Sequence, residues 1–161
     1  MKGYKQNQHM RHYKNGKRTL VNLGVNTYKS KSPLSLIARQ ALINKYKQKN
    51  VSKVNITKKR IRLQYDNHNL SYPIKKIKHL ETIGNWAHKL SDNTVKIDSD
   101  VSKRNINPLL VHEAVEQYIT KKKNLPLPDS HKLATQVEKR YAKRKGINWK
   151  NYQSAIWRTP G

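Results

Sequence analysis

The chain has 161 residues, a formal net charge of +26, only nine acidic residues and no cysteine. That length suits one compact domain with tails, and the absence of cysteine excludes disulfides and thiolate metal sites. No apolar run approaches the roughly 18 residues that cross a bilayer, and no signal-peptide core follows the basic start. A soluble protein is expected, in the cytoplasm of a host cell or packaged within a virion.

Residues 1–31 read as a basic extended arm, disordered or ordered only on a partner. The first acidic residue of the chain is Asp66. A solvated face would mix signs, so an unbroken positive stretch points to a polyanionic partner. Lys2, Lys5, Arg11, Lys14, Lys17, Arg18, Lys29 and Lys31 are the candidate nucleic-acid contacts, interleaved with Tyr4, Tyr13 and Tyr28. Cations suit phosphates and aromatic rings suit bases, on DNA or RNA alike. An anionic membrane, an acidic protein, or a merely solubilising tail would also fit the charge. His9 and His12 have no ligand set nearby and read as solvated residues.

Residues 32–161 read as a single α+β domain. Ser32-Pro33 opens a first helix with the apolar stripe Leu34, Ile37, Ala38, Ala41, Leu42 and Tyr46. Val51 to Ile56 is a short strand. Ile61, Leu63 and Tyr65 alternate with Arg60, Arg62 and Gln64, the pattern of a half-buried strand. Asp66 to Asn69 is a turn, with His68 exposed in it. Leu70 to Ile77 returns as a strand that Pro73 confines to an edge. Leu80, Ile83, Ala87 and Leu90 suggest a short helix that Gly84 weakens. Thr94 to Asp98 is a brief strand, followed by a polar stretch from Ser99 to Asn107.

A helical hairpin, residues 109–146, comes next. Asn107 and Pro108 are read as cap and first helical position. Asp129-Ser130 is read as the start of the second helix and Gly146 as its end. At about 100° per residue, His112 and Glu116 share one stripe, and Glu113 lies close beside it. On the second helix His131, Ala134, Thr135, Glu138, Tyr141 and Ala142 fall on the core-facing stripe. His131 and Glu138 are therefore polar residues on a face that should be buried. Buried imidazoles and carboxylates need partners, and a cation is one such partner.

His-Glu-x-x-His helices bind zinc through two imidazoles one turn apart, with the adjacent Glu acting on water. Here the second imidazole position is Glu116. By position His112 and Glu116 are metal ligands, Glu113 is the general base, and His131 and Glu138 complete the shell. Zinc fits this set, while two carboxylates would favour structural binding or a harder ion such as manganese or iron. The alternative is a satisfied structural cluster across a helix interface, with no metal. Trp149, Tyr152, Ile156 and Trp157 follow as an apolar set that caps the core, or else stacks on bases beside the neighbouring lysines.

The run His112-Glu113-Ala114-Val115-Glu116, then Asp129-Ser130-His131-Lys132-Leu133-Ala134-Thr135-Gln136-Val137-Glu138, then Gly146-Ile147-Asn148-Trp149-Lys150-Asn151-Tyr152, resembles a group of uncharacterised phage- and mobile-element-encoded proteins. The resemblance covers residues 109–152 and none of the basic N-terminal half. It implies a small zincin-like domain with short antiparallel strands, in which Thr94–Asp98 is an edge strand before the His-Glu helix. It also implies a metal-dependent hydrolase, peptidase-like in type. Glu116 departs from the zincin pattern, which has a second His there.

Two functions follow from these observations. One is a metal-dependent hydrolase held near nucleic acid by its arm. The other is a non-enzymatic nucleoprotein component, a virion protein or a ribosome-associated protein.

Overall fold

A computed structural model of the chain describes residues 34–78, 84–86 and 93–157. The fold is α+β. The expected arm, the opening Ser32-Pro33 and most of the expected helix around Leu80–Leu90 lie outside the described residues.

Helix α1 (Leu36–Tyr46) starts at Ser35, whose hydroxyl accepts the Ala38 amide at 3.1 Å. Its inward stripe is displaced by one position from the expected one. Ile37 is 85% exposed and Ala41 is exposed, while Leu42, Ile43 and Tyr46 turn to the core. The adjacent Leu42-Ile43 pair and the buried Tyr46 ring set the rotation. Tyr46 stacks on Tyr65 with centroids 5.7 Å apart.

Strands β1 (Val51–Ile56), β2 (Arg60–Tyr65) and β3 (His68–Ile77) form an antiparallel meander. Asp66 and Asn67 both have positive φ, 49° and 61°, so the β2–β3 connection is a two-residue turn of type I′. The turn is shorter than expected, and His68 begins β3, where it remains exposed. Ile61, Leu63 and Tyr65 are buried in alternation, as their spacing predicts.

The register of β1 slips between Ser52 and Asn55, and Lys53 sits there at φ 48°. This bulge inserts one residue and reverses the parity of the strand. Val51 faces the core before it; Val54 and Ile56 face inward after it.

Strand β4 (Gly84–Trp86) pairs antiparallel with β5 (Val95–Asp98), and β5 pairs parallel with the second half of β3. The sheet order is β1-β2-β3-β5-β4. Three expectations change here. The sheet is mixed rather than purely antiparallel. Gly84–Trp86 is strand, not helix, because β5 offers it a ladder that a glycine-weakened helix cannot match. Strand β5 is interior, and β4 is the edge.

Pro73 also lies in an interior strand, not an edge strand. It falls where β3 changes partner: residues 68–73 pair with β2, and residues 74–77 pair with β5. Each half of β3 has one neighbour, so the missing proline N–H interrupts no second ladder.

Helix α2 (Lys103–Lys123) begins five residues before the expected start, after Ser102. Ile106 packs against the core and Val101 is buried, which draws this first turn into the helix. Pro108 is therefore an interior residue; lacking an N–H, it leaves the Arg104 carbonyl without its helical donor. Every residue from Pro108 to Thr120 is buried. A helix covered all round is central, and α2 packs on the sheet, on α3 and on α4.

Asn124 ends α2 in the left-handed conformation. Helix α3 (Leu127–Arg144) follows after a three-residue connection. Its start precedes Asp129-Ser130, because Pro128 fits the first turn, where no N–H is needed. Ser130 instead bonds the Leu125 carbonyl at 3.2 Å.

Gly146 ends α3 as expected. Its φ is +69°, its N–H donates to Lys143 O at 3.1 Å, and the Ile147 N–H donates to Ala142 O at 2.9 Å. This paired-bond cap turns the chain into α4 (Trp149–Trp157), where the Asn148 side chain accepts the Asn151 amide at 2.9 Å.

Candidate metal centre

The site is built from the middle of α2, two residues of α3 (His131 and Glu138) and one residue of α4. Residues 108–120 of α2 are all buried, so the polar groups there depend on neighbours and not on water for partners. His112 is 1% exposed, Glu116 5% and Glu138 4%. The short α2–α3 connection sets His131 against them.

Three ligand-type atoms converge. His112 Nε2 lies 3.0 Å from Glu116 Oε2 and 3.0 Å from His131 Nδ1, and His131 Nδ1 lies 2.8 Å from Glu116 Oε2. His112, Glu116 and His131 form a group able to hold a metal ion. The His131 side chain is 27% exposed and is the group's opening to solvent.

The triangle fits a small divalent ion. Bonds of about 2.0–2.1 Å to imidazole and carboxylate place tetrahedral ligand atoms about 3.3 Å apart. A few tenths of an ångström of spreading would seat the ion above the triangle, on the side left open. The same convergence is repulsive unless a proton or a cation lies within it.

Glu138 lies behind His112. Its Oε2 is 2.9 Å from His112 Nδ1, on the other side of the ring from Glu116, and its Oε1 accepts the Tyr152 hydroxyl. Glu113 is buried at 3% on α2, next to His112 in the chain, and is not one of the three converging residues. Of the five residues singled out in the hairpin, the fold thus gathers three, sets a fourth in contact behind them, and buries the fifth alongside. The arm residues Lys2 to Lys31 lie outside the described residues.

Charge follows from this geometry. Burial alone would push the His112 imidazole down. The charge of Glu138, with hydrogen bonds to Glu116 and Glu138, outweighs burial and raises its pKa to about 10. Burial pushes Glu116 up, but its bonds to His112 and His131 hold it well below the usual carboxylate range. A proton on His112 Nε2 therefore holds the group together when no metal does.

Tyr152 is the partner that spacing alone did not single out. Of the two expectations for Tyr152, capping the core or stacking on bases, the first holds: it packs at 2% exposure, and its hydroxyl donates to Glu138. The Gly146-to-Tyr152 motif was its only signal. Gln117 and Thr120 are two further buried polar residues of α2 that helical spacing does not single out. Gln117 Nε2 donates to Asn93 Oδ1 at 3.2 Å, while Gln117 Oε1 and Thr120 Oγ1 have no hydrogen-bond partner among the described residues.

Comparisons with protein-family models, with curated proteins and with solved structures return no match to this chain. No helix among the described residues is long and apolar enough to cross a membrane.

Proposed function

We propose that the hairpin is the centre of a small metal-dependent hydrolase, zincin-like and peptidase-like, of phage or mobile-element type. The observation that carries this reading is the convergence of His112 Nε2, Glu116 Oε2 and His131 Nδ1 beside an opening. These residues would hold one divalent ion, zinc first, with manganese or iron as alternatives. The ion would supply Lewis-acid polarisation of a carbonyl and a more acidic water.

The protein residues have separable roles in this reading. Glu138 accepts the His112 Nδ1 proton, which fixes the tautomer that presents Nε2 as a lone pair. Tyr152 holds Glu138 in turn. Glu113 is the proton acceptor, by its place beside His112. His131 lies at the mouth, where a substrate would enter.

The test is metal content of the full chain by elemental mass spectrometry, with peptide-bond hydrolysis measured on a fluorogenic peptide mixture. Near-stoichiometric metal is expected in the wild type and absent from His112→Ala and His131→Ala. Glu113→Gln should keep the metal and lose turnover. Wild-type protein that takes up neither zinc nor manganese would sink the reading.

A second reading has its own observation. Among the described carboxylates only Asp100 is exposed, while lysines and arginines are exposed on every element from α1 to α4 except β4 and β5. Such a surface suits a nucleoprotein component in a host cell or virion, bound to DNA or RNA. Binding should then weaken steeply with salt, survive chelators and fall when residues 1–31 are deleted. The two readings are compatible in one molecule.

A further inference from the structure

A cleft of about 270 Å³ lies away from the three converging ligands, between the bulged half of β1, the start of α2 and the end of α3. Its apolar walls are Val54, Ile56 and Ile147. Its polar lining is Arg104, Asn107, Lys145 and Tyr141, with no carboxylate among them. We infer that this cleft binds one nucleotide unit of a single-stranded nucleic acid, with the phosphate on Arg104 and Lys145 and the base or sugar against the apolar walls. The inference rests on the second reading above and not on the metal centre.

Four observations carry it. First, the cleft is built by specific backbone features. The Lys53 bulge turns Val54 and Ile56 inward, and the cap at Gly146 sets Ile147 and Lys145 at its rim. Second, its cations are not engaged elsewhere as their neighbours are. Arg140 and Arg144 are spent on the carbonyls of Lys49 and Val51, at 2.8 Å each. Arg104 and Lys145 are exposed, form no ion pair among the described residues, and Lys145 Nζ sits 5.9 Å from the Tyr141 ring centroid.

Third, Tyr141 is only 4% exposed and lines the cleft. Burial raises its pKa, with Arg144 opposing, so it stays a neutral donor facing an anion. Fourth, the lining matches one phosphate joined to one less polar group. Two cations and neutral donors serve the phosphate, and aliphatic walls serve an unstacked base or sugar. The volume is at the small end for a ligand site, room for one such unit.

The test is methyl NMR on the full chain, titrated with a single-stranded uridine hexanucleotide, UMP, uridine and inorganic phosphate. The hexanucleotide and UMP should both shift the methyls of Val54, Ile56 and Ile147. Uridine and phosphate should each leave them almost unmoved. In Arg104→Ala/Lys145→Ala these shifts should weaken about tenfold or more in ligand concentration, since two charged hydrogen-bond donors are lost. Tyr141→Phe should have a smaller effect in the same direction.

A hexanucleotide that binds without moving these methyls would overturn the cleft and leave the arm as the contact. Shifts with UMP but not with the strand, or with phosphate alone, would also overturn it, in favour of a free-nucleotide or simple anion site. No binding of the hexanucleotide at all would remove the nucleic-acid reading together with the cleft.

Discussion

His112 is asked to hold either a proton or a metal at the same atom. Its Nε2 faces Glu116 and His131, and its Nδ1 is committed to Glu138. Without metal, the raised pKa means that folding takes up a proton that the unfolded imidazole, titrating near 6.5, releases. That stabilisation is full below about pH 6.5 and is lost as pH rises through about 10. Metal binding requires the deprotonated Nε2, so it has the opposite dependence. The chelated protein should therefore lose thermal stability between pH 6.5 and 10. Adding zinc should raise its melting temperature more at pH 8 than at pH 6. Parallel pH curves with and without zinc, measured by scanning calorimetry, would mean that proton and metal do not compete at this atom.

The three helices of the site are joined by side chains as much as by loops. Glu138 of α3 stands between His112 of α2 and Tyr152 of α4, a relay of contacts through one carboxylate. Glu138→Gln should weaken metal binding by about 10–100-fold, the usual effect of removing the group that orients a ligating imidazole. Tyr152→Phe leaves Glu138 Oε1 without its donor inside the core and should cost about 1–3 kcal/mol of stability. Chelator competition and thermal unfolding separate these effects, because a purely structural Tyr152 would lower stability with no change in affinity.

How legible these elements were depended on what fixes them. Period-two burial in β2 and the left-handed cap at Gly146 are local consequences of residue type, and the sequence shows them. The clustering of His112, Glu116 and His131 was readable because helical spacing and a short connection leave few alternatives. The early start of α2 was hidden because Pro108 looks like a first helical residue, and only packing of Ile106 against the core decides otherwise. The β1 bulge was hidden because Lys53, at φ 48°, carries no glycine or asparagine to announce it. Pro73 was misplaced because a change of strand partner is a tertiary fact that no local pattern records.

The charge of the molecule sets a last expectation. Among the described residues, all carboxylates but Asp100 are buried or held in close pairs. Arg39 Nε meets Asp129 at 2.7 Å, and Asp66 takes Tyr46 at 2.8 Å with Lys45 and Lys49 at 3.3 Å each. Burial pushes Asp66 up, but the bonds from Tyr46, Lys45 and Lys49 win and hold it below its ordinary value. The carboxylates of these pairs are largely covered, at 6–12% side-chain exposure, while their cations are 35–49% exposed, so salt screens the pairs in part. Most of the described lysines and arginines outside these pairs are exposed with few carboxylates between them, and in a chain at +26 their mutual repulsion is long-ranged. The Debye length falls from about 10 Å at 0.1 M to about 3 Å at 1 M. Screening should then relieve more repulsion than attraction, and the melting temperature should rise with sodium chloride instead of falling. Sodium chloride should stabilise less than sodium sulfate at equal ionic strength if anions also bind at specific cationic sites such as the Arg104–Lys145 cleft. In the Arg104→Ala/Lys145→Ala variant that extra sulfate effect should shrink while the chloride response persists. A melting temperature that falls with chloride would show that the Asp66 and Asp129 pairs outweigh the repulsion among the exposed cations.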